Sequence, residues 1–268
     1  MKKYVRPFVA LVLVLCLCVS LAGCSMELTD MLMLKQAYQH VKEMDSLRFT
    51  VTADLDAVAG SLPVKLAAEA DCQCVVEPAT LKAQLELDLG RLGSISLPLY
   101  VFAGEDALQI LAGMGQNGGT VWVKNSIPFA GSEAENADDA GGKLTVEAVL
   151  NMLQDDPDAL TVGESEPING VDCRPFRLKI PGAVLMEALG LAVPAGSSAA
   201  IEDTLVTVWI SEKDGAPLRL SGDLASLFQY ILDVTDAAYL PRLKVKSLPV
   251  TLDITGCNDV ESIPLPSA

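Results

Sequence analysis

Residues 81–89 alternate between apolar and polar side chains without a break, and this pattern limits what the chain can fold into. The apolar positions are Leu81, Ala83, Leu85, Leu87 and Leu89. Alternate side chains of a strand point to opposite faces, so the segment predicts a strand with one apolar and one solvated face. The same period recurs in residues 47–55 and 95–101. Together these segments predict an antiparallel sheet with one solvated side.

The rest of the chain continues this strand-rich pattern, interrupted by three predicted helices. Further strands are predicted at residues 62–76, 107–112, 120–124, 160–163, 171–180, 205–211, 217–221, 243–246 and 249–255. Asn169-Gly170 and Asp214-Gly215 are strong turn signals between strands. Apolar residues at helical spacing predict helices at residues 29–44 and 145–153 and a short one near residues 184–189. No internal repeat or domain-scale linker is present, so residues 29–268 are expected to form one domain.

Residues 113–118 match the glycine pattern G-x-G-x-x-G, which can indicate a dinucleotide site. Such a site needs a helix directly after the glycines, whose N-terminus holds the pyrophosphate. Here Thr120-Val121-Trp122-Val123 follows, which is typical of a strand. The glycines therefore predict a hairpin loop.

The N-terminal segment has the organisation of a secretory signal peptide. Its basic residues are Lys2, Lys3 and Arg6. An apolar run of about 14 residues follows, which is shorter than the roughly 20 residues of a spanning helix. The segment ends in Leu21-Ala22-Gly23-Cys24, which resembles the bacterial lipobox. That resemblance implies removal of residues 1–23, lipidation of Cys24 and a short tether over residues 24–28; an ordinary signal peptide with an incidental cysteine is the alternative.

The charge of the chain restricts its partners. The full chain has a net charge of −16, and removing residues 1–23 takes away three basic residues and no acid, leaving −19. Nucleic acid is an unfavourable partner, since its affinity comes from Lys and Arg that neutralise phosphates. A polybasic membrane patch is excluded for the same reason. Attachment to a membrane would therefore depend on the acyl chains at Cys24.

Four cysteines remain in the exported part of the chain: Cys72, Cys74, Cys173 and Cys257. They are possible disulfide cysteines, and four cysteines allow three pairings. Cys72 and Cys74 point to the same side of a predicted strand about 6.7 Å apart, which is unfavourable for a bond between them. Each therefore bonds elsewhere or stays a reduced core thiol. The spacing lacks the paired cysteines of a zinc site, so no metal is expected.

No pattern in the sequence predicts catalysis or a cofactor. A Ser-His-acid site would need His40, the one histidine, and the G-x-S-x-G elbow is absent. The acidic residues of loop 130–142 lack the offsets of a calcium site and indicate a solvated loop. We expect a non-enzymatic protein without a cofactor or bound metal.

The order of helix, meandering strands, helices and further strands is similar to that of the LolA/LppX-like superfamily of exported bacterial lipoproteins. The likeness is carried by residues 169–173, 208–211, 215–219 and 250–254, and by Ile263-Pro264. It implies an α+β fold in which a strongly curved, unclosed antiparallel sheet, a half-barrel, wraps a few helices on its concave face.

The same resemblance implies a cavity for acyl chains between sheet and helices. The candidate lining residues are Phe49, Val51, Leu85, Leu87, Leu97, Leu99, Phe176, Leu178 and Trp209. The protein would then be a lipoprotein on the outer face of the cell membrane, or the outer membrane if its source has one, that binds or carries a lipid or another lipoprotein's acyl chains. The alternative is a cell-envelope scaffold or sensor with a filled core, and the oligomeric state stays open.

Overall fold

A computed structural model describes residues 28–90, 93–104, 107–116, 119–128, 159–182, 185, 202–234 and 243–266. The predicted signal peptide, the lipobox-like residues 21–24, residues 130–142 and the predicted helix at residues 145–153 lie outside these residues. Most of the predicted helix near residues 184–189 does so as well.

This part of the chain contains two helices and thirteen strands. The helices are α1 (Leu28–Lys42) and α2 (Ala225–Val234). The strands of the first half are β1 (Ser46–Ala59), β2 (Leu62–Val75), β3 (Thr80–Asp88), β4 (Ser94–Ala103), β5 (Ala107–Gln116) and β6 (Gly119–Pro128). Those of the second half are β7 (Leu160–Val162), β8 (Glu166–Ile168), β9 (Val171–Ile180), β10 (Thr204–Ser211), β11 (Pro217–Asp223), β12 (Leu243–Ser247) and β13 (Pro249–Cys257).

All these strands form one sheet. Its order is β6-β5-β4-β3-β2-β1-β13-β11-β10-β9-β7, with β12 also paired to β1 and β8 to β9. Every pairing is antiparallel. The two ends of the order, β6 and β7, are not paired with each other, so the sheet is not closed. The predicted α+β half-barrel with an unclosed antiparallel sheet is thus confirmed.

The main hydrophobic core lies where both helices meet the second half of the sheet. Leu34, Ala37 and Val41 of α1 and Leu227 and Tyr230 of α2 share one buried cluster with residues of β9, β10, β11 and β13. A smaller cluster forms on β1–β3 around Phe49, with Ala70, Cys72 and Ala83. Leu47 and Leu252 pack against both clusters, which places both on the same face of the sheet. We call this the inner face, and its reverse the outer face.

Polar contacts fix α1 to the second half of the sheet. Asp30, which is almost fully buried, accepts a 2.7 Å hydrogen bond from Arg174 Nη1 of β9. Ten residues further along α1, His40 Nε2 lies 2.8 Å from the carbonyl oxygen of Asp214 in the β10–β11 turn. That turn also packs tightly on the helix, because a Cβ at Gly215 would come within 2.5 Å of Gln36. The helix is therefore held at both ends.

The sequence predicted most of these boundaries but missed α2. The turn at Asn169-Gly170 is present, with positive φ at both residues, and β9 covers the predicted residues 171–180. Helix α2 starts next to Asp223, whose Oδ1 accepts hydrogen bonds from the backbone N–H groups of Ala225 and Leu248. None of the helices in the described residues has the length and apolarity to cross a membrane.

Candidate functional site

The inner face continues without interruption from the helix-covered half across β1 to β6. Register defines one row of neighbouring residues on it: Ile254, Phe49, Cys72, Ala83, Leu99, Ala112 and Val123. A second row contains Leu85 and Leu97, and a third contains Leu87 and Ile95. Because all these positions share one face, the alternation in the sequence produces a broad apolar surface.

Exposure of this surface rises steadily away from the helices. Phe49 and Ala83 are buried, whereas Leu85, Leu87, Leu97 and Leu99 are half-buried. At the far end Ile95, Met114, Val121 and Val123 are 43–49% exposed. These four make up half of the large hydrophobic residues that are exposed in the described part of the chain. A contiguous exposed apolar surface is typical of a binding site, whereas single exposed apolar residues are ordinary. We call the inner face of β3–β6 the open apolar face.

The predicted lining residues divide between the two halves. Phe49, Val51, Leu85, Leu87, Leu97 and Leu99 lie on the inner face of β1–β4. Phe176 and Leu178 also face inward, but they belong to the helix-covered core and are 2% and 1% exposed. Those two side chains are packed by protein atoms and are not accessible to a ligand.

Trp209 does not line the inner face, and its prediction as a lining residue is corrected. Its neighbours Val208 and Ile210 are buried in the helix-covered core, and alternate residues of a strand point to opposite faces. Trp209 therefore lies on the outer face, where its Nε1–H donates a hydrogen bond to Glu166 Oε1. Arg219, directly opposite Trp209 in the ladder, makes a two-point ion pair with Asp253 there.

The four cysteines are free thiols in the structure. Leu47 lies between Cys74 on β2 and Cys257 on β13. Two strand spacings of about 4.8 Å thus separate these cysteines, which is beyond the reach of a disulfide. Cys72 and Cys74 do share one face, as predicted, and Cys72 lies on the floor of the Phe49 cluster. Burial, helped by Asp71 and Cys74, raises the pKa of Cys72 to about 11, so this thiol stays neutral.

The outer face of β4–β6 carries an aromatic pair that the sequence analysis did not single out. The rings of Tyr100 and Trp122 meet edge to face, with centroids 5.4 Å apart. Trp122 lies over its ladder neighbour Gly113, where a Cβ would come 3.0 Å from the indole and 2.7 Å from Pro98. Gly113 of the G-x-G-x-x-G match is thus required by this packing. The match lies within the β5–β6 hairpin, but residues 113–116 belong to strand β5, so the predicted loop over residues 113–118 was too long.

The polar groups cluster elsewhere. A cleft of about 420 Å³ opens near the ends of β1, β2 and β12, with Asp54, Asp56, Lys65 and Asp88 among its lining residues. Asp56 and Lys65 form an ion pair of 3.5 Å across it. No group of three His, Cys, Asp or Glu residues suited to a metal ion occurs in the described ranges. His40 is exposed and is engaged by the β10–β11 turn.

The chain path is similar to that of several solved bacterial proteins. Lipoprotein LppX of Mycobacterium tuberculosis matches with a TM-score of 0.47 and 15% identity, over 87% of this chain and 97% of LppX. LprF of Mycobacterium bovis matches with a TM-score of 0.44 and 13% identity, over 88% and 96% of the two chains. A putative outer membrane lipoprotein-sorting protein domain of Vibrio parahaemolyticus matches with a TM-score of 0.27 and 12% identity, over 85% and 93%.

No protein-family model and no curated protein sequence matches the chain.

Proposed function

We propose that the protein is a membrane-anchored bacterial lipoprotein that binds or carries a lipid or acyl chain on its open apolar face. The observation that supports this function is the half-buried and exposed state of the aliphatic residues on β3–β6. Covering such side chains with an acyl chain is favourable by roughly 25 cal/mol for each Å² of apolar surface removed from water. No covalent chemistry is needed, and the protein acts without catalysis.

In this proposal the N-terminus supplies the location. The signal peptide directs export, residues 1–23 are removed, and acyl chains on Cys24 hold residues 29–268 at the outer face of a membrane as one domain. The single sheet that runs from β1 to β13 supports treating these residues as one unit. Two or more acyl chains are needed for stable anchoring.

The ligand is expected to lie along Leu85, Leu87, Leu97 and Leu99. Leu85 and Leu99 pack against the buried Phe49 cluster, and Leu97 and Leu87 follow them on the same face. Phe176 and Leu178 stay in the packed core and take no part in binding. A scaffold or sensor role is the competing function. A protein with that role would have a filled core along the whole sheet, like the core under α1.

Native mass spectrometry of residues 25–268, which lack the lipidated Cys24, tests the proposal after export in a bacterium and purification without detergent. A retained mass that organic extraction resolves into a diacyl lipid is the expected result. A bare polypeptide mass, unchanged after incubation with membrane lipids, would favour the scaffold role.

A pair of variants tests whether the ligand binds on the open apolar face. Leu87→Asp puts a charge on the open apolar face and should abolish lipid retention. The matched control is Leu205→Asp, because Leu205 is 56% exposed on the outer face and should tolerate the charge. Circular dichroism checks that both variants fold, and Leu87→Ser serves as a milder change if Leu87→Asp does not. A folded Leu87 variant that retains lipid at the normal level would remove this face from the proposed site.

A further inference from the structure

Strands β4, β5 and β6 contain no Asp or Glu, in a chain with 35 acidic and 19 basic residues. We call these three strands the uncharged wing, although Lys124 gives it one positive charge. The neighbouring outer face of β1–β3 is different, since it carries Asp54, Asp56, Glu69, Asp71, Glu86 and Asp88. In the sequence, the acidic pair Glu105-Asp106 lies between β4 and β5 and belongs to neither strand. Negative charge is thus absent from the β5–β6 hairpin.

The wing carries exposed apolar side chains on its inner face and two half-buried aromatic side chains on its outer face. Met114, Val121 and Val123 are exposed on the inner face, while Trp122 and Tyr100 form the edge-to-face pair on the outer face. Two lysines adjoin that pair. Lys82 is the ladder neighbour of Tyr100, and Lys124 lies two residues from Trp122 on the same face; both lysines are exposed.

Strand β6 pairs on one side only within the described residues, with β5. Its other side presents backbone N–H and C=O groups that need polar partners. An occupant of this wing must therefore accept apolar side chains, ring edges, lysine ammonium groups and backbone hydrogen bonds at the same time. The interfacial layer of a bilayer offers all four, since it combines acyl chains, water and phosphate groups.

We propose that the uncharged wing docks on the bilayer interface, with the β5–β6 hairpin leading and Trp122 at headgroup depth. The lack of carboxylates removes the repulsion that an acidic surface meets at anionic headgroups, and Lys82 and Lys124 face the phosphates. The edge of β6 that has no strand partner among the described residues limits the depth, because open sheet edges do not occur in the hydrocarbon region. A second copy of the exported chain is the less favourable occupant, since it brings another net charge of −19.

This contact does not depend on a ligand on the open apolar face, and it differs from anchoring at Cys24. The two tryptophans of the chain provide the test, because Trp122 lies on the wing and Trp209 lies on the outer face of the other half. The variants Trp209→Phe and Trp122→Phe each leave one of them. The full chain of each variant is reconstituted in vesicles of phosphatidylcholine and phosphatidylglycerol whose acyl chains carry bromine either near the headgroup or near the methyl end.

We expect Trp122 emission to shift to shorter wavelength and to be quenched, more by bromine near the headgroup than by bromine near the methyl end. Trp209 emission should not change, although the anchor is the same. Equal quenching of both tryptophans, or quenching of neither, would overturn the proposal. A shift of Trp122 emission that depends on protein concentration without vesicles would do the same and would identify a second copy as the occupant.

Two further comparisons separate the wing from the ligand site and from general charge effects. The chain loaded with brominated lipid and freed of vesicles should keep full Trp122 emission, because Trp122 faces away from the open apolar face. Quenching of Trp122 in the absence of vesicles would refute docking as the cause.

In the Trp209→Phe background, Lys124→Glu should reduce quenching by vesicles. Lys179→Glu, at an exposed lysine on the outer face of β9, should leave it unchanged, and equal effects of the two changes would contradict the proposed contact.

Discussion

The two halves of the sheet share one inner face but differ in what covers it. On β9, β10, β11 and β13 the face is covered by α1 and α2, and Phe176 and Leu178 are almost completely buried. On β3–β6 the same pattern leaves Leu87 half-buried and Val123 exposed. An apolar strand face is therefore a core only where another element packs on it. On β3–β6 no helix of the described residues packs on the face, and its aliphatic side chains stay half-buried or exposed.

The largest expected effect separates the two halves by stability. Phe176→Ala removes a ring from the packed core, so we expect the free energy of unfolding to fall by about 3–5 kcal/mol. Leu87→Ala removes a half-buried side chain from the open apolar face and should cost only about 1 kcal/mol. Urea unfolding followed by circular dichroism measures both values.

The two variants should also have opposite effects on lipid binding and on stability. Phe176→Ala, studied below its unfolding transition, should keep its lipid, whereas Leu87→Ala should lose lipid with little loss of stability. If Leu87→Ala were as destabilising as Phe176→Ala, the open apolar face would be a packed core, and the contrast between the halves would disappear.

The polar attachment of α1 gives the next largest expected effect. Asp30 is buried against Arg174, so Asp30→Asn weakens a buried, charged hydrogen bond of 2.7 Å. We expect a loss of about 2–3 kcal/mol in the free energy of unfolding. The matched control is Asp259→Asn, which weakens an ion pair with Arg48 whose side chains are 47% and 45% exposed. Its expected cost is below about 1 kcal/mol.

The Asp30 substitution also shows whether the attachment of α1 stabilises only the helix-covered half of the sheet. Asp30→Asn should also increase hydrogen exchange in β9 and β10, while exchange in β3 and β4 stays the same. Equal increases in all four strands would mean that α1 supports the whole sheet, and the halves would then not be independent.

The sequence could predict the strands, because alternation over segments such as residues 81–89 and 171–180 is a local signal. It also predicted the turn at Asn169-Gly170, which needs residues that tolerate positive φ. Helix α2 was missed although its sequence carries a local signal, because Ser226, Gln229 and Asp233 recur at helical spacing and leave an apolar stripe on the other side.

The site was predictable only in part. Leu85 and Leu87 were assigned to one face by their spacing, and the register agrees with that. Which inner residues become core depends on where the helices pack, which is a tertiary property; for this reason Phe176 and Leu87 looked equivalent. Trp209 was chosen for its size, yet it directly follows the inward-facing Val208, and adjacent strand residues point to opposite faces, so Trp209 lies on the outer face. The pairing of Tyr100 with Trp122 depends on strand neighbours that are more than 20 residues apart.

The smallest expected effect concerns Cys72, at the dry boundary between the halves. Burial raises the pKa of its thiol from its ordinary value of 9.0 to about 11 in the folded protein. The unfolded state therefore releases this proton first, so the stabilising contribution is complete below about pH 9 and is lost as the pH rises through about 11. We expect the wild-type chain to lose roughly 2 kcal/mol more than Cys72→Ala between these pH values. Urea unfolding at several alkaline pH values measures the difference, in which the titration of other groups cancels. The same pH dependence in both chains would show that water reaches Cys72, and the floor beside the open apolar face would then be wet.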